Sequence, residues 1–309
     1  QNYTDQNLND EINFYLFLKS IWKQKVLLFS IMILSFLSSI VFSLLIPNTY
    51  TSSTLLAPST QEDSLSSKLS QYSGIVGLAG INLPSEGNTK SQEAIERIFS
   101  FDFFKRYFLP NIKLENLMAV TEWDPIKNEL KDDDNLYDIK TKSWARNVPI
   151  TKKIIPSEQE AYEEVYIDLI QLNVDKNSGF VTISIKHESP FIAKKWVEII
   201  VYNINESMRE IDKVNAQNSI TFLNELANSM NFQSIKEAIL NLQETQMQTL
   251  MFASSNQSYI FKTIDPPIAP ETKSGPHRIL IWISGVLIGV IIGILIIAYR
   301  HFFNIQKIN

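Results

Sequence analysis

The chain has 309 residues, a net charge of −5 and no cysteine. Without cysteine it has no thiol nucleophile and no disulfide framework, so its stability must come from core packing and from neighbouring subunits. Residue 1 is Gln rather than Met, so a native start further upstream is expected.

The charges are unevenly placed. Residues 47–278 carry 30 acidic against 23 basic side chains, while the two short ends carry 3 acidic and 5 basic. An acidic central region argues against nucleic acid as a partner, because polyanion affinity needs clustered cations.

Two uncharged apolar runs bracket that polar middle, Val26–Ile46 and Ile279–Tyr299. Each is long enough, at about 1.5 Å per residue, to cross a hydrocarbon core of about 30 Å. Core helices are shorter and amphipathic, and no small-residue cleavage site follows the first run, so both are expected to span a lipid bilayer. Lys19, Lys23 and Lys25 precede the first run, and no Lys or Arg follows until Lys68; Arg300 and Lys307 follow the second. Positive-inside bias then places segments 1–25 and 300–309 in the cytoplasm and 47–278 outside, with Lys273 and Arg278 arguing weakly the other way.

Outside the first span, Tyr50–Leu56 is β-prone and reads as a first strand. Residues 57–90 are rich in Ser, Gly, Asn and Gln around one apolar island, Gly74–Ile81, that suits either a loop anchor or a close packing contact. Ser91–Phe108 reads as one or two helices stopped by Pro110, with Phe99, Phe101, Phe103, Phe104, Tyr107 and Phe108 supplying core. Residues 121–150 read as an exposed loop with short elements. Their Asp132-Asp133-Asp134 run fits a solvated turn better than a cation loop, which needs spaced ligands and a glycine.

Ser157 and Glu160 form a capping box for a helix to about Gln171. Leu172–Val174, a turn at 175–179 and Phe180–Lys186 follow as strand, turn, strand. Val181, Ile183 and Ile185 alternate with Thr182, Ser184 and Lys186, which marks a half-buried strand.

Ser189-Pro190 starts a helix of about 40 residues, since no Pro or Gly follows until Pro266. Its apolar stripe is Trp196, Ile200, Ile204, Met208, Ile211, Val214, Phe222, Leu226 and Met230. The mean spacing exceeds 3.5, so a regular left-handed coiled coil is not indicated. Ser234 with Glu237 reads as a second capping box, opening a helix of about 18 residues through Phe252. The pair forms a hairpin arm over about 189–252, projecting from the membrane.

Tyr259–Ile264 reads as a returning strand. Pro266, Pro267, Pro270 and Pro276 then stiffen an extended connector into the second span. Inside that span Gly285, Gly289 and Gly293 recur every fourth residue, a ridge that admits a closely packed helix: the first span, a neighbouring subunit or another protein.

The chain lacks a phosphate-binding loop, and His187, His277 and His301 sit in no metal-ligand pattern. No carboxylate pair is nominated by spacing. The expectation is a non-enzyme with no catalytic residue, cofactor or metal.

These pieces together resemble the polysaccharide co-polymerases, the Wzz or chain-length determinant family. The resemblance is carried by the first span with Tyr50 and its strand, the Ser178–Ser184 strand, the Ser189–Ala193 helix start, the Ile264–Pro270 segment, and Pro276 with Arg278 opening a glycine-rich span. It implies an α+β fold: a membrane-proximal α/β base with a protruding long-helix hairpin, between two transmembrane helices of a bacterial inner membrane. It also implies a ring-shaped periplasmic homo-oligomer that sets the length of a lipid-carrier-linked surface polysaccharide. A separate membrane polymerase or export protein would be its partner, and the growing polysaccharide a further one. About ten residues follow the second span, so either the kinase-free class or a kinase on a separate chain is expected. A component of a capsule export machine shares the two-span layout and remains an alternative. A two-span sensor would need an output module.

Overall fold

The computed structural model describes residues 21–59, 89–229, 233–255 and 258–306. The glycine island at 74–81, Met230 and the turn of the arm lie outside them. The chain divides into two compact units: the apolar helices with their flanks, up to residue 48 and from 273, and residues 49–272.

The first unit is a helix pair, α1 (Lys25–Leu45) and a second long helix, Arg278–Gln306, which continues past the predicted end of the apolar run. Only 6% and 17% of their most apolar stretches is buried. A core helix would bury most of that surface, so these helices present side chains such as Leu34 and Ile288 outward, as a lipid-facing pair does.

The second unit is α+β, the class expected from the sequence. Its elements are β1 (Tyr50–Pro58), α2 (Thr89–Ile98), α3 (Phe101–Phe103), α4 (Leu114–Met118), β2 (Val120–Asp124), β3 (Glu129–Asp132), β4 (Tyr137–Asp138) and β5 (Ser143–Trp144). There follow α5 (Glu158–Ala161), α6 (Ile167–Leu169), β6 (Ile170–Val174), β7 (Val181–His187), α7 (Pro190–Ser229), α8 (Gln233–Ser255) and β8 (Phe261–Asp265). The second apolar helix, Arg278–Gln306, is then α9.

One antiparallel sheet, ordered β6-β7-β1-β8, forms the base. The β6–β7 turn places Gly179 at φ +71°, in the left-handed region that glycine tolerates best. On β7 the predicted alternation holds: Val181, Ile183 and Ile185 are buried under α7 and the aromatic layer, and Lys186 is exposed.

That layer is the phenylalanine cluster read from the sequence. Phe103, Phe104 and Phe108 are fully buried, while Phe101 stays exposed. Phe104 and Phe108 lie 4.8 and 4.9 Å from the Tyr166 ring, and Phe108 meets Trp196 edge-on at 5.6 Å. Tyr166 donates its hydroxyl to the Ile98 carbonyl at 2.8 Å, which satisfies its buried polar atom within this layer.

Several local expectations change. The helix from Ser157 ends at Leu169 rather than Gln171, because Ile170 already pairs with Ile185 as the first residue of β6. Ser157 accepts from the Glu160 N–H as expected, but Glu160 does not reach back; its carboxylate takes Arg146 at 2.7 Å and Lys152 at 3.4 Å. Ser234 lies inside the first turn of α8 and so is not its N-cap. The Asp132–Asp134 run closes a turn, in which Asp133 accepts from both the backbone and side-chain nitrogens of Asn135.

Candidate functional site

In the helix pair the glycine ridge of α9 faces α1. A Cβ built on Gly285 would overlap Ser39, one on Gly289 would stand 2.9 Å from Ser35 Cβ and 3.0 Å from Met32 Cα, and one on Gly293 would stand 3.4 Å from Leu28. Ser35 donates its hydroxyl to the Gly285 carbonyl at 2.7 Å, an interhelical bond available only because the backbones approach so closely. Of the partners left open by the sequence, the first span occupies this face. Sequence reading missed the complementary half: Ser35, Ser39 and Ser43 also recur every four residues, and that spacing in an otherwise apolar run was the available signal.

In the second unit the long helix runs over Pro190–Ser229, as its length predicted. Trp196, Ile200, Ile204 and Met208 are buried against the sheet and the aromatic layer. Beyond Met208 the buried face turns. Ile211 and Leu226 are half-buried, Val214 and Phe222 are about half exposed, and Ala216 and Leu223 are buried instead. The reason is a change of partner: this half packs on α8, where Leu223 joins Ile239 and Leu242 with Leu226 beside them. The outer face of α8 keeps Leu240, Met247 and Met251 exposed along a shallow groove with Gln243, Glu244 and Gln248.

A polar bracket that no local pattern announced ties α7 to β8. Asn205, 5% exposed, accepts at Oδ1 from the backbone N–H groups of Ile260 (2.8 Å) and Phe261 (2.9 Å), and donates through Nδ2 to the carbonyls of Val201 (2.9 Å) and Phe261 (3.2 Å). Two turns along α7, Asp212 accepts from Lys90 Nζ and from the Tyr259 hydroxyl, each at 2.6 Å. The proline segment is held from the other side. Thr54 donates to the Asp265 carbonyl and Ser52 to the Ile268 carbonyl, both at 2.7 Å, and Pro267 between them is buried. Pro266 is exposed, and Pro270 and Pro276 are half-buried. The segment leaving β8 is therefore fixed through the first strand as well as through its own prolines.

His187 closes β7 just before α7. Its Nδ1 accepts from the Ser189 N–H at 2.9 Å, so the proton sits on Nε2, which donates to the Asn116 carbonyl at 3.0 Å. Burial pushes its pKa below the ordinary imidazole value, against the smaller upward pulls of Asn116 and Glu188. Burial pushes Glu160 up, but its hydrogen bond and charge contact with Arg146, aided by Lys152, outweigh this and hold it below the usual carboxylate range.

Among the described residues no group of three or more His, Asp or Glu side chains is arranged to hold a metal ion. What the geometry offers is packing and positioning: a seam of small residues between two apolar helices, a helical arm with exposed apolar faces, and a braced connector.

No curated protein matches the chain. Among solved structures, a full-length bacterial polysaccharide co-polymerase aligns with 93% of this chain and 97% of its own, at 13% identity and a TM-score of 0.38. A fragment of WzzB, a polysaccharide co-polymerase from Salmonella Typhimurium, aligns with 74% of this chain and 100% of its own, at 12% identity and a TM-score of 0.27. Residues 10–107, which take in α1, β1, α2 and α3, match the family model described as Wzz, chain length determinant protein, the family that the sequence motifs resemble.

Proposed function

We propose that this chain is an inner-membrane polysaccharide co-polymerase: it regulates the chain length of a lipid-carrier-linked surface polysaccharide, as a homo-oligomer working with a separate membrane polymerase. The observation that carries the reading is the chain-length-determinant match over residues 10–107, in a chain whose two apolar helices bracket one α+β unit. In this reading both termini are cytoplasmic and residues 47–278 are periplasmic.

The role is regulatory rather than catalytic, and the residues act by position. The glycine seam sets the pairing of the spans. The arm offers neighbouring copies the apolar faces around Phe222 on α7 and around Met247 and Met251 on α8. Such half-exposed apolar side chains are the kind that a subunit contact covers. The Ser52–Ile268 and Thr54–Asp265 bonds brace the proline connector, so that a change in the connector alters how an assembled ring is presented to the polymerase.

Deleting the gene and resolving the cell's surface polysaccharide on a gel, beside a complemented strain, tests the proposal. Polymer that is still made but without a preferred length supports it. Loss of all exported polymer favours an export component, and an unchanged profile refutes both.

A further inference from the structure

Two cations meet on one neutral acceptor at an end of the helix pair. Asn48 Oδ1 accepts from Lys273 Nζ at 3.2 Å and from Arg278 Nη2 at 3.3 Å, so the two cationic heads lie within two hydrogen-bond lengths of each other. All three residues belong to the helix-pair unit: Asn48 follows the end of α1, and Arg278 is the first residue of α9. Like charges this close repel, and a neutral amide oxygen does not compensate them. Among the described residues the other acceptor shared by two cations is the Glu160 carboxylate, which carries the opposite charge to its partners Arg146 and Lys152.

The unit supplies no counter-charge. It holds no Asp or Glu over 12–48 or 273–309, and the first turn of α9 has none. Glu271, two residues ahead of Lys273, is exposed and forms an ion pair with neither cation. A lysine has three side-chain donors and an arginine five. Among the described residues each uses one of them, on Asn48, and the Arg278 Nε–H is buried without an acceptor. In the proposed orientation this end is periplasmic, where positive-inside bias calls for the fewest cations, so topology does not account for the pair.

The depth of the pair names the missing anion. With α1 and α9 as spans, residues 48 and 273–278 flank the ends of the apolar helices at headgroup level. Trp282, one turn further along α9, is the residue type that collects there. The anion of that layer is the lipid phosphodiester, which takes charged N–H donors at about 2.8 Å, and a basic side chain beside an anionic surface strengthens lipid attraction about fivefold. We propose that Lys273 and Arg278, gathered by Asn48, bind the phosphoryl headgroup of an anionic membrane lipid at this end of the helix pair. This rests on the reading of α1 and α9 as membrane spans.

The chain has no cysteine, so an introduced one is a unique labelling site. Ile279, beside Arg278, and Leu34 on α1 are both exposed. Full-length Ile279→Cys and Leu34→Cys, each carrying a fluorophore, are reconstituted in phosphatidylcholine vesicles that hold graded amounts of spin-labelled phosphatidylglycerol or phosphatidylcholine. The spin label sits near the carbonyl for position 279 and deep in the acyl chain for position 34. At 279 phosphatidylglycerol should reach half-quenching at a mole fraction about fivefold or more below that of phosphatidylcholine. The two fractions should become equal when Lys273→Gln and Arg278→Gln are added together, and at 34 the two lipids should quench alike throughout. Equal fractions at 279 in the unsubstituted background, with quenching at 34 intact, overturn this inference alone. A preference that survives both substitutions overturns it as well. A preference abolished by millimolar inorganic phosphate at constant ionic strength assigns the site to free phosphate and overturns the lipid assignment. Absence of quenching at 34 by either lipid overturns the membrane reading and this inference together.

Discussion

Alanine placed at each glycine of the ridge should perturb the helix pair in a fixed order. At Gly293 the new methyl meets Leu28 at 3.4 Å, near an ordinary contact. At Gly289 it meets Ser35 Cβ at 2.9 Å and Met32 Cα at 3.0 Å, about 0.5–1 Å too close, and Met32 Cα is backbone that cannot swing aside. At Gly285 it overlaps Ser39, and separation of the helices also stretches the Ser35–Gly285 hydrogen bond. Overpacking of this kind costs about 1–3 kcal/mol, and an interhelical bond in lipid contributes about 0.6 kcal/mol more. Since about 1.4 kcal/mol is a tenfold change in an equilibrium, Gly285→Ala should shift the paired state by tenfold or more, and Gly293→Ala hardly at all. Spin labels on cysteines introduced at the outward-facing Leu34 and Ile288, in full-length chain diluted with unlabelled chain in nanodiscs, report the separation by pulsed dipolar spectroscopy. The distance should lengthen or broaden in the order 285, 289, 293. Three unchanged distributions, or the reverse order, would refute the argument.

Three further predictions concern the α+β unit. Asn205→Ala strands two buried N–H groups and a carbonyl, each costing about 1–3 kcal/mol when unpaired. Partial relaxation leaves a loss of about 2–4 kcal/mol, read by denaturant unfolding of the full chain in detergent, and a loss under about 0.5 kcal/mol would count against the bracket. The lowered pKa of His187 means that the unfolded chain binds its proton more readily than the folded one. Its stabilising contribution is therefore complete above the ordinary value of about 6.5 and is lost as pH falls through the lower folded value. The acid-side fall in melting temperature should be shallower in His187→Gln than in the wild type, and equal slopes contradict the assignment. Replacing Pro267 and Pro270 together by alanine should alter polymer length while leaving the circular dichroism spectrum unchanged; an unaltered length profile would remove the connector from the account.

The sequence shows most where a signal is local. The two apolar runs, the alternation of Val181, Ile183 and Ile185, and the Ser189-Pro190 start of α7 each depend on neighbours within a turn or two. What it hid depends on partners distant in the chain. Asn205 looks like any polar helix residue until β8, some 55 residues later, arrives beneath it. The outward turn of Phe222 and the burial of Leu223 follow from the packing of α8, which periodicity along α7 alone cannot anticipate. The end of the Ser157 helix moved because pairing with β7 claimed Ile170 for the sheet. The glycine ridge was legible, but its partner was not, since serines at four-residue spacing acquire meaning only beside a matching groove.

The central claim concerns polymer length, and the most direct measurement is the length distribution of surface polysaccharide in null cells carrying an empty vector, the wild-type chain or the Gly285→Leu chain at matched expression. The account predicts a preferred length restored by the wild type, a broadened or shifted distribution with the variant, and an unregulated one with the vector. A distribution that is the same with and without the wild-type chain would contradict it.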